Sequence, residues 1–364
     1  MAGNAHRVKR GTLPRLFSLQ RVWWGEGPQD RAIRLALLPL SLAYRGAISL
    51  RNGMYDRGLL RSHAPALPAI SVGNLSSGGT GKTPIAAWIA SELSARGAHP
   101  AIVTRGYGED EPFVHQILNP TVPVVVDPDR LAGIASAAAI GADIAVLDDA
   151  FQHRRVKREA DVVLLSADRW PKEWRALPAG PWREPLEALR RASLAIVVRK
   201  AVTLGQAREV VDFLQRTVPN LRVAVAHLGL GSLREWGGNA VRTLASLRGV
   251  NLLAISAIGD PESFIDQLRV LGTDVRPENF PDHFAFTRAE ADRLASALEQ
   301  HQLPVCTLKD AVKLGPLWPR EAPSLWYVSQ HVAIEEGMRA LEVAFESVLQ
   351  ARSISLIETG RAPA

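Results

Sequence analysis

The chain has 364 residues, 47% hydrophobic and 22% charged, with a formal net charge of +6 and one cysteine, Cys306. These figures fit a globular protein of two domains, and a lone cysteine excludes an internal disulfide or a cysteine-rich metal site and fits a reducing compartment. The charge is uneven: residues 1–65 carry eleven Lys or Arg against Glu26, Asp30 and Asp56, a local +8, which leaves the remainder close to neutral.

A basic start suits nucleic acid or an anionic membrane surface. The apolar character of the same segment favours the membrane. From Leu35 to Leu50 the only charge is Arg45, and the uncharged run Leu35–Tyr44 is ten residues long, half of the roughly 20 that cross a bilayer. No cleavage site follows a short basic stretch, so a secretory signal is not expected. The pattern predicts a short helix lying in the membrane interface, with a packed core helix as the alternative.

After Pro68 strands and helices alternate. Ala69–Gly73 reads as a buried strand and Pro84–Arg96 as a helix with Pro in its first turn. Further strands are expected at Ala101–Thr104, Val122–Val126, Asp143–Leu147, Val162–Leu165 and Leu194–Val198, with Leu131–Ile140 a helix. Short apolar strands separated by helices imply a mostly parallel α/β sheet covered on both faces. A second unit begins near residues 220–245, with a strand at Val250–Ser256, helices at Pro261–Leu271 and Thr287–Gln300, a strand at Pro304–Thr307 and a final helix at Ile334–Leu349. The expected division is a membrane-interface segment at 1–60, a core at 61–225, a smaller C-terminal α/β domain at 226–350 and a loose tail at 351–364.

Between the first strand and its helix stands VGNLSSGGTGKTP, Val72–Pro84. A phosphate loop needs inward backbone N–H groups, a Lys for the β- and γ-phosphates and a hydroxyl for Mg²⁺. Ser76, Ser77, Gly78, Gly79, Thr80 and Gly81 supply the backbone, Lys82 the cation and Thr83 the metal-binding hydroxyl. Ser76 stands where the usual pattern has its first Gly, a change confined to the entry of the turn. Ser77 stands where one class of partitioning ATPases places a second Lys, which argues against that class. A Mg²⁺-dependent phosphoryl transfer also needs an acid at the end of a neighbouring strand. In IAVLDDAFQHRR an apolar strand runs into Asp148 and Asp149, at the sheet edge where ligands bind in open α/β folds.

VGNLSSGGTGKTP, TRGYG, DDAFQHRR, LPAGPWREP, FPDHF and LKDAVKL, in that order from about residue 21 to 330, resemble the tetraacyldisaccharide 4'-kinase family of lipid A synthesis. RVWWGEGP is similar to that family's N-terminal start. The resemblance implies a P-loop NTPase-like fold, ATP and Mg²⁺ as cofactors, and an acylated disaccharide phosphate in the membrane as acceptor. It makes Lys82 and Thr83 ligands of nucleotide and Mg²⁺, and Asp148 and Asp149 the acidic pair at the metal. It makes Asp110 the base that accepts the sugar hydroxyl's proton, with His283 orienting or tuning that carboxylate. Arg105, Tyr107, Glu111, Gln152, Arg183 and Glu184 follow as substrate contacts from motif matches alone. The implied location is the cytoplasmic face of a bacterial inner membrane, peripherally held, with neither nucleic acid nor an obligate protein partner.

Two departures stand out. Only Glu109 separates TRGYG from Asp110, where relatives carry an insertion, and Ala150 replaces the Gly that relatives show after the acid pair. Two other readings of the residues are a soluble P-loop small-molecule kinase or ligase, and a membrane-associated nucleotide switch without transferase activity.

Overall fold

The computed structural model describes residues 19–106, 110–171 and 173–358. Helices α1 (Leu19–Trp24) and α2 (Pro28–Asp56) precede the first strand. The first half then runs β1 (Ala69–Asn74), α3 (Lys82–Ala95), β2 (Pro100–Thr104), α4 (Asp110–Leu118), β3 (Val124–Val126), α5 (Arg130–Ala139), β4 (Ile144–Asp148), β5 (Ala160–Ser166), β6 (Leu194–Arg199) and α6 (Leu204–Thr217). The second runs β7 (Val223–Glu235), β8 (Val241–Arg242), β9 (Asn251–Ser256), α7 (Pro261–Val270), β10 (Asp274–Asn279), α8 (Arg288–Ser296), β11 (Leu303–Thr307), α9 (Leu308–Leu314), β12 (Trp326–Glu336) and α10 (Met338–Glu358).

All these strands belong to one sheet, in the order β10-β9-β11-β12-β7-β6-β5-β1-β4-β2-β3 with β8 paired to β7. The strands from β3 to β7 are parallel, as are those from β10 to β12. The two parallel sets meet at the long antiparallel pair β7–β12. Strands on either side of β1 are reached by opposite chain directions, so β1 ends at a topological switch point, the site such sheets use for ligands.

The apolar faces explain the layers. Ile85, Ile89 and Leu93 of α3 pack with Leu341, Phe345 and Val348 of α10 on one face of the first half. Helices α5 and α6 bury Ile134, Ala137, Val210 and Leu214 on the other. In the second half α8 and α9 cover one face and α7 the other. Val114 of α4 joins the α8–α9 cluster. That contact sets Asp110, the first residue of α4, where the two halves meet.

Three expectations need correction. The predicted helix at Ile334–Leu349 begins in a strand: β12 runs to Glu336, Gly337 turns at φ +77°, and α10 starts at Met338. A side chain at Gly337 would also press on Val223 O at 2.5 Å, so the break is built into the backbone. The predicted loose tail is helical as far as Glu358; residues 359–364 lie outside the described residues.

At the other end, the ten-residue apolar run is part of a 29-residue helix, α2, which contains Pro39 without ending there. Arg45 interrupts the apolar run but not the helix. By length and composition α2 is sufficient to cross a membrane, in contrast to the short helix expected. One face of it is tied to the protein. Ser41 Oγ accepts from Ala179 N–H at 2.9 Å, and Tyr44 donates to Arg183 O at 3.1 Å. Arg51 donates to Gln152 O at 2.8 Å, and Asn52 to Glu184 Oε2 at 2.8 Å. Leu35, Leu42 and Leu50 are exposed, on the face of the helix opposite those anchors.

Candidate active site

The loop after β1 takes its shape from glycine. Gly81 has φ +86°, and a Cβ there would meet Leu228 Cδ2 at 2.7 Å, so no other residue fits that turn without moving the core. Asn74 Nδ2 donates to Thr80 Oγ1 at 2.8 Å, and Ser77 N–H donates to Pro181 O at 2.7 Å. Lys200 Nζ donates to Gly79 O at 2.6 Å and reaches Asp260 at 2.8 Å. Burial pushes the Asp260 carboxyl up, but Lys200 and Arg169 outweigh it and hold the group down at about 2. This second-half carboxylate at the start of α7 thus braces the loop from outside through Lys200.

Lys82 opens α3, with Thr83 beside it in the first turn. The helix N-terminus, the loop amides and the ammonium favour a bound phosphate together. Across the gap, Lys82 Nζ lies 3.8 Å from Asp149 Oδ1. Arg183 Nη1 donates to both Asp149 oxygens, at 2.9 and 3.1 Å. Burial raises the Asp149 carboxyl, and Lys82 and Arg183 more than reverse that, so its net shift is downward. Asp149 has φ +50°, which turns the chain immediately after β4.

Asp148 is different. It closes β4 and is almost fully buried. Oδ2 lies 3.0 Å from His115 Nε2, while buried Oδ1 has no hydrogen-bond partner. A buried carboxylate oxygen without a donor is costly, and a divalent cation would satisfy it. Mg²⁺ is characteristically held by one or two protein oxygens together with substrate phosphates. Asp148 and the Thr83 hydroxyl fit that pattern. Among the described residues no group of three or more His, Cys, Asp or Glu is placed to hold a metal.

Asp110 is buried at the start of α4, and its Oδ2 has no hydrogen-bond partner. Lys309 Nζ, on α9, lies 3.9 Å from that oxygen and 3.3 Å from His283 Nε2. The two residues named from sequence are therefore joined through Lys309, an ammonium shared between them. Burial, then Lys309, moves the His283 imidazole below its usual value, against the pull of Asp282 and Asp110. A neutral ring is the form that accepts a hydrogen bond from Lys309. His283 itself sits at φ +58°.

The remaining residues divide. Glu111 Oε2 accepts from Thr104 Oγ1 at 3.3 Å, and burial, with Asp148 next, raises its carboxyl. Gln152 Nε2 donates to Asn74 O at 2.8 Å, holding the end of β1. Glu184 is buried with both oxygens used, by Asn52 and by Arg191 Nη2 at 2.7 Å, so it braces α2 against the segment that carries Arg183. Arg105 follows β2. Tyr107 lies outside the described residues.

Three residues escaped the sequence reading. Lys309 lies in the quoted LKDAVKL, but nothing in that string marks the Lys as a bridge. Arg130 is buried and donates to Asp148 O at 3.2 Å. His115 stands four residues after Glu111, on one helical face with it, but that spacing does not point to its partner Asp148.

The tetraacyldisaccharide-1-P 4'-kinase family model, LpxK, matches residues 33–350. A tetraacyldisaccharide 4'-kinase of Anaeromyxobacter dehalogenans (strain 2CP-1) is 36% identical, covering 96% of this chain and 100% of the relative. One from Halorhodospira halophila is also 36% identical, covering 88% and 94%. Among solved structures, LpxK from Aquifex aeolicus, described as an "apo" form in complex with ATP, superposes with a TM-score of 0.66. It shares 27% identity, covering 87% of this chain and 99% of that one.

Proposed function

This chain belongs to the tetraacyldisaccharide-1-P 4'-kinase family, and from that premise we propose which of its residues carry the reaction. The protein is a lipid kinase that phosphorylates the 4'-hydroxyl of a tetraacyl disaccharide 1-phosphate in lipid A biosynthesis. The observation that carries the assignment of parts is the convergence at the ends of β1 and β4. There the loop and Lys82 face an acid pair in which the buried Asp148 Oδ1 has no hydrogen-bond partner.

In this reading ATP is the donor, with its phosphates on the loop amides and Lys82. Bound Mg²⁺, held by Thr83 and Asp148, would neutralise charge on the phosphates. Asp149 keeps Lys82 and Arg183 aimed at the same space. Asp110 takes the proton as the 4'-oxygen forms its bond to the γ-phosphorus and the bond to the β-phosphate oxygen breaks. Lys309 holds that carboxylate in place and His283 holds Lys309. Residues 61–225 thus supply the nucleotide side, residues 226–350 the support of the base.

The acceptor is a lipid, and α2 is the part that meets its bilayer. The basic N-terminal segment draws the protein to an anionic surface, at the cytoplasmic face of the inner membrane, and the exposed leucines of α2 enter the interface. The polar anchors from Ser41 to Asn52 favour a helix lying on the membrane rather than through it.

The activity is tested by incubating the purified protein with γ-labelled ATP and tetraacyl disaccharide 1-phosphate in mixed micelles. Label in the lipid is expected; ATP binding without labelled lipid would instead favour a nucleotide switch. For the membrane contact, Leu35→Glu, Leu42→Glu and Leu50→Glu together should lower binding to anionic phospholipid vesicles at least ~10-fold, since each buried Leu contributes about 1.5–3 kcal/mol. These changes leave the anchors intact. Co-sedimentation equal to that of the parent would remove α2 from the membrane.

A further inference from the structure

We infer that His115 is a positioning residue for the metal: it holds Asp148 so that a single oxygen, Oδ1, faces the cation. The inference rests on the reading of Asp148 as a metal ligand and extends it to a residue with no assigned role.

His115 is fully buried on α4, and its Nε2 lies 3.0 Å from Asp148 Oδ2. Its other ring nitrogen, Nδ1, is buried without a partner. That asymmetry decides the tautomer. A proton on Nδ1 would leave a stranded N–H donor, whereas a bare Nδ1 leaves only a lone pair, the less costly of the two. Nε2 therefore carries the hydrogen and donates it to Oδ2.

Asp148 is fixed at a second point as well, because its main-chain oxygen accepts from the buried Arg130 guanidinium at 3.2 Å. With the backbone held by Arg130 and Oδ2 held by His115, the side chain cannot rotate to offer both oxygens. Oδ1 is left with no donor. A carboxylate pinned in this way presents one ligand atom in a set direction and loses little freedom when the cation arrives. The buried Val114 beside His115 packs into the second half, so α4, and with it the imidazole, is set by contacts on both sides of the cleft.

The test measures metal binding directly, without turnover. Mn²⁺ serves as the probe, titrated by electron paramagnetic resonance into the full chain loaded with a non-hydrolysable ATP analogue, with thermal unfolding recorded in parallel. His115→Leu should raise the Mn²⁺ Kd about 10- to 100-fold, the usual effect of removing a partner behind a metal ligand. His115→Gln, whose amide can place a donor near the Nε2 position, should restore the Kd to within about threefold of the parent. If His115→Leu does not fold, His115→Asn takes its place with the same expected loss, its amide stopping short of Asp148. Equal Kd values in the parent and His115→Leu, or a Gln variant no better than Leu, would overturn the role. Asp148→Asn separates the two layers. If it leaves the Kd unchanged, the ligand assignment itself has failed. If it weakens binding while His115→Leu does not, only the role of His115 falls.

Discussion

Lys82→Ala lowers phosphoryl transfer by at least ~10²-fold, the scale of losing one preorganised charge at a developing transition state. The reason lies in what surrounds it. The ammonium is at the opening of α3, where the helix N-terminus and loop amides already favour a phosphate. It is the cation of that loop, and no backbone group replaces a full charge. The fold should survive the change, because Asp149 keeps its paired contact with Arg183 at 2.9 and 3.1 Å. Lys82→Met, which keeps the stem, separates loss of charge from loss of packing. The measurement is turnover against lipid with ATP binding by calorimetry and thermal unfolding alongside. More than about a tenth of the parent activity would be incompatible with this loop as the catalytic phosphate clamp.

The second large effect is expected at the base. Asp110→Asn should reduce kcat by about 10²–10⁴-fold, the range for removing general-base assistance, with ATP affinity nearly unchanged. Asp110 is buried and faces Lys309 at 3.9 Å, and Lys309 is 3.3 Å from His283. On the proposed reading the three act as one chain, so His283→Ala combined with Asp110→Asn should cost little more than Asp110→Asn alone. Lys309→Met supplies the internal check: once the link is removed, His283→Ala should have little further effect. Multiplicative losses across these variants would show that His283 works by a separate route. Near-parent kcat in Asp110→Asn would move the base elsewhere, with Glu111 the nearest candidate by its raised carboxyl.

Local chemistry was the legible part of this chain. VGNLSSGGTGKTP could be read because each residue type has one role at one place, and the strand and helix it requires are β1 and α3. Asp148 and Asp149 were legible because an apolar run of strand length ends on them. The join between the halves was not. β7 and β12 carry Gly229, Gly231, Ser329 and His331 and shift register twice, which hides the alternation that marks a strand. The run after Ile334 has helical spacing, so the strand–helix boundary at Gly337 was missed. At the site, Lys309 and His115 were invisible for a different reason. Each acquires its role only from a partner far along the chain, Lys309 from Asp110 and His115 from Asp148, and no local pattern encodes that meeting.

If α2 lies on the bilayer as proposed, its contacts make the enzyme a gauge as well as a catalyst. The helix is about 44 Å long at 1.5 Å per residue, and its C-terminal half grips the backbone of Gln152 and Arg183 and the side chain of Glu184. Once α2 rests on a bilayer, the distance from lipid plane to reacting phosphate is a property of the protein rather than of the encounter. Acceptors would then be sorted by altitude. A sugar whose hydroxyl rises to that level meets the phosphate without the protein having to tilt, and one standing too low or too high passes beneath or above it, whatever its chemistry. The search for substrate becomes a glide in two dimensions with the third already measured.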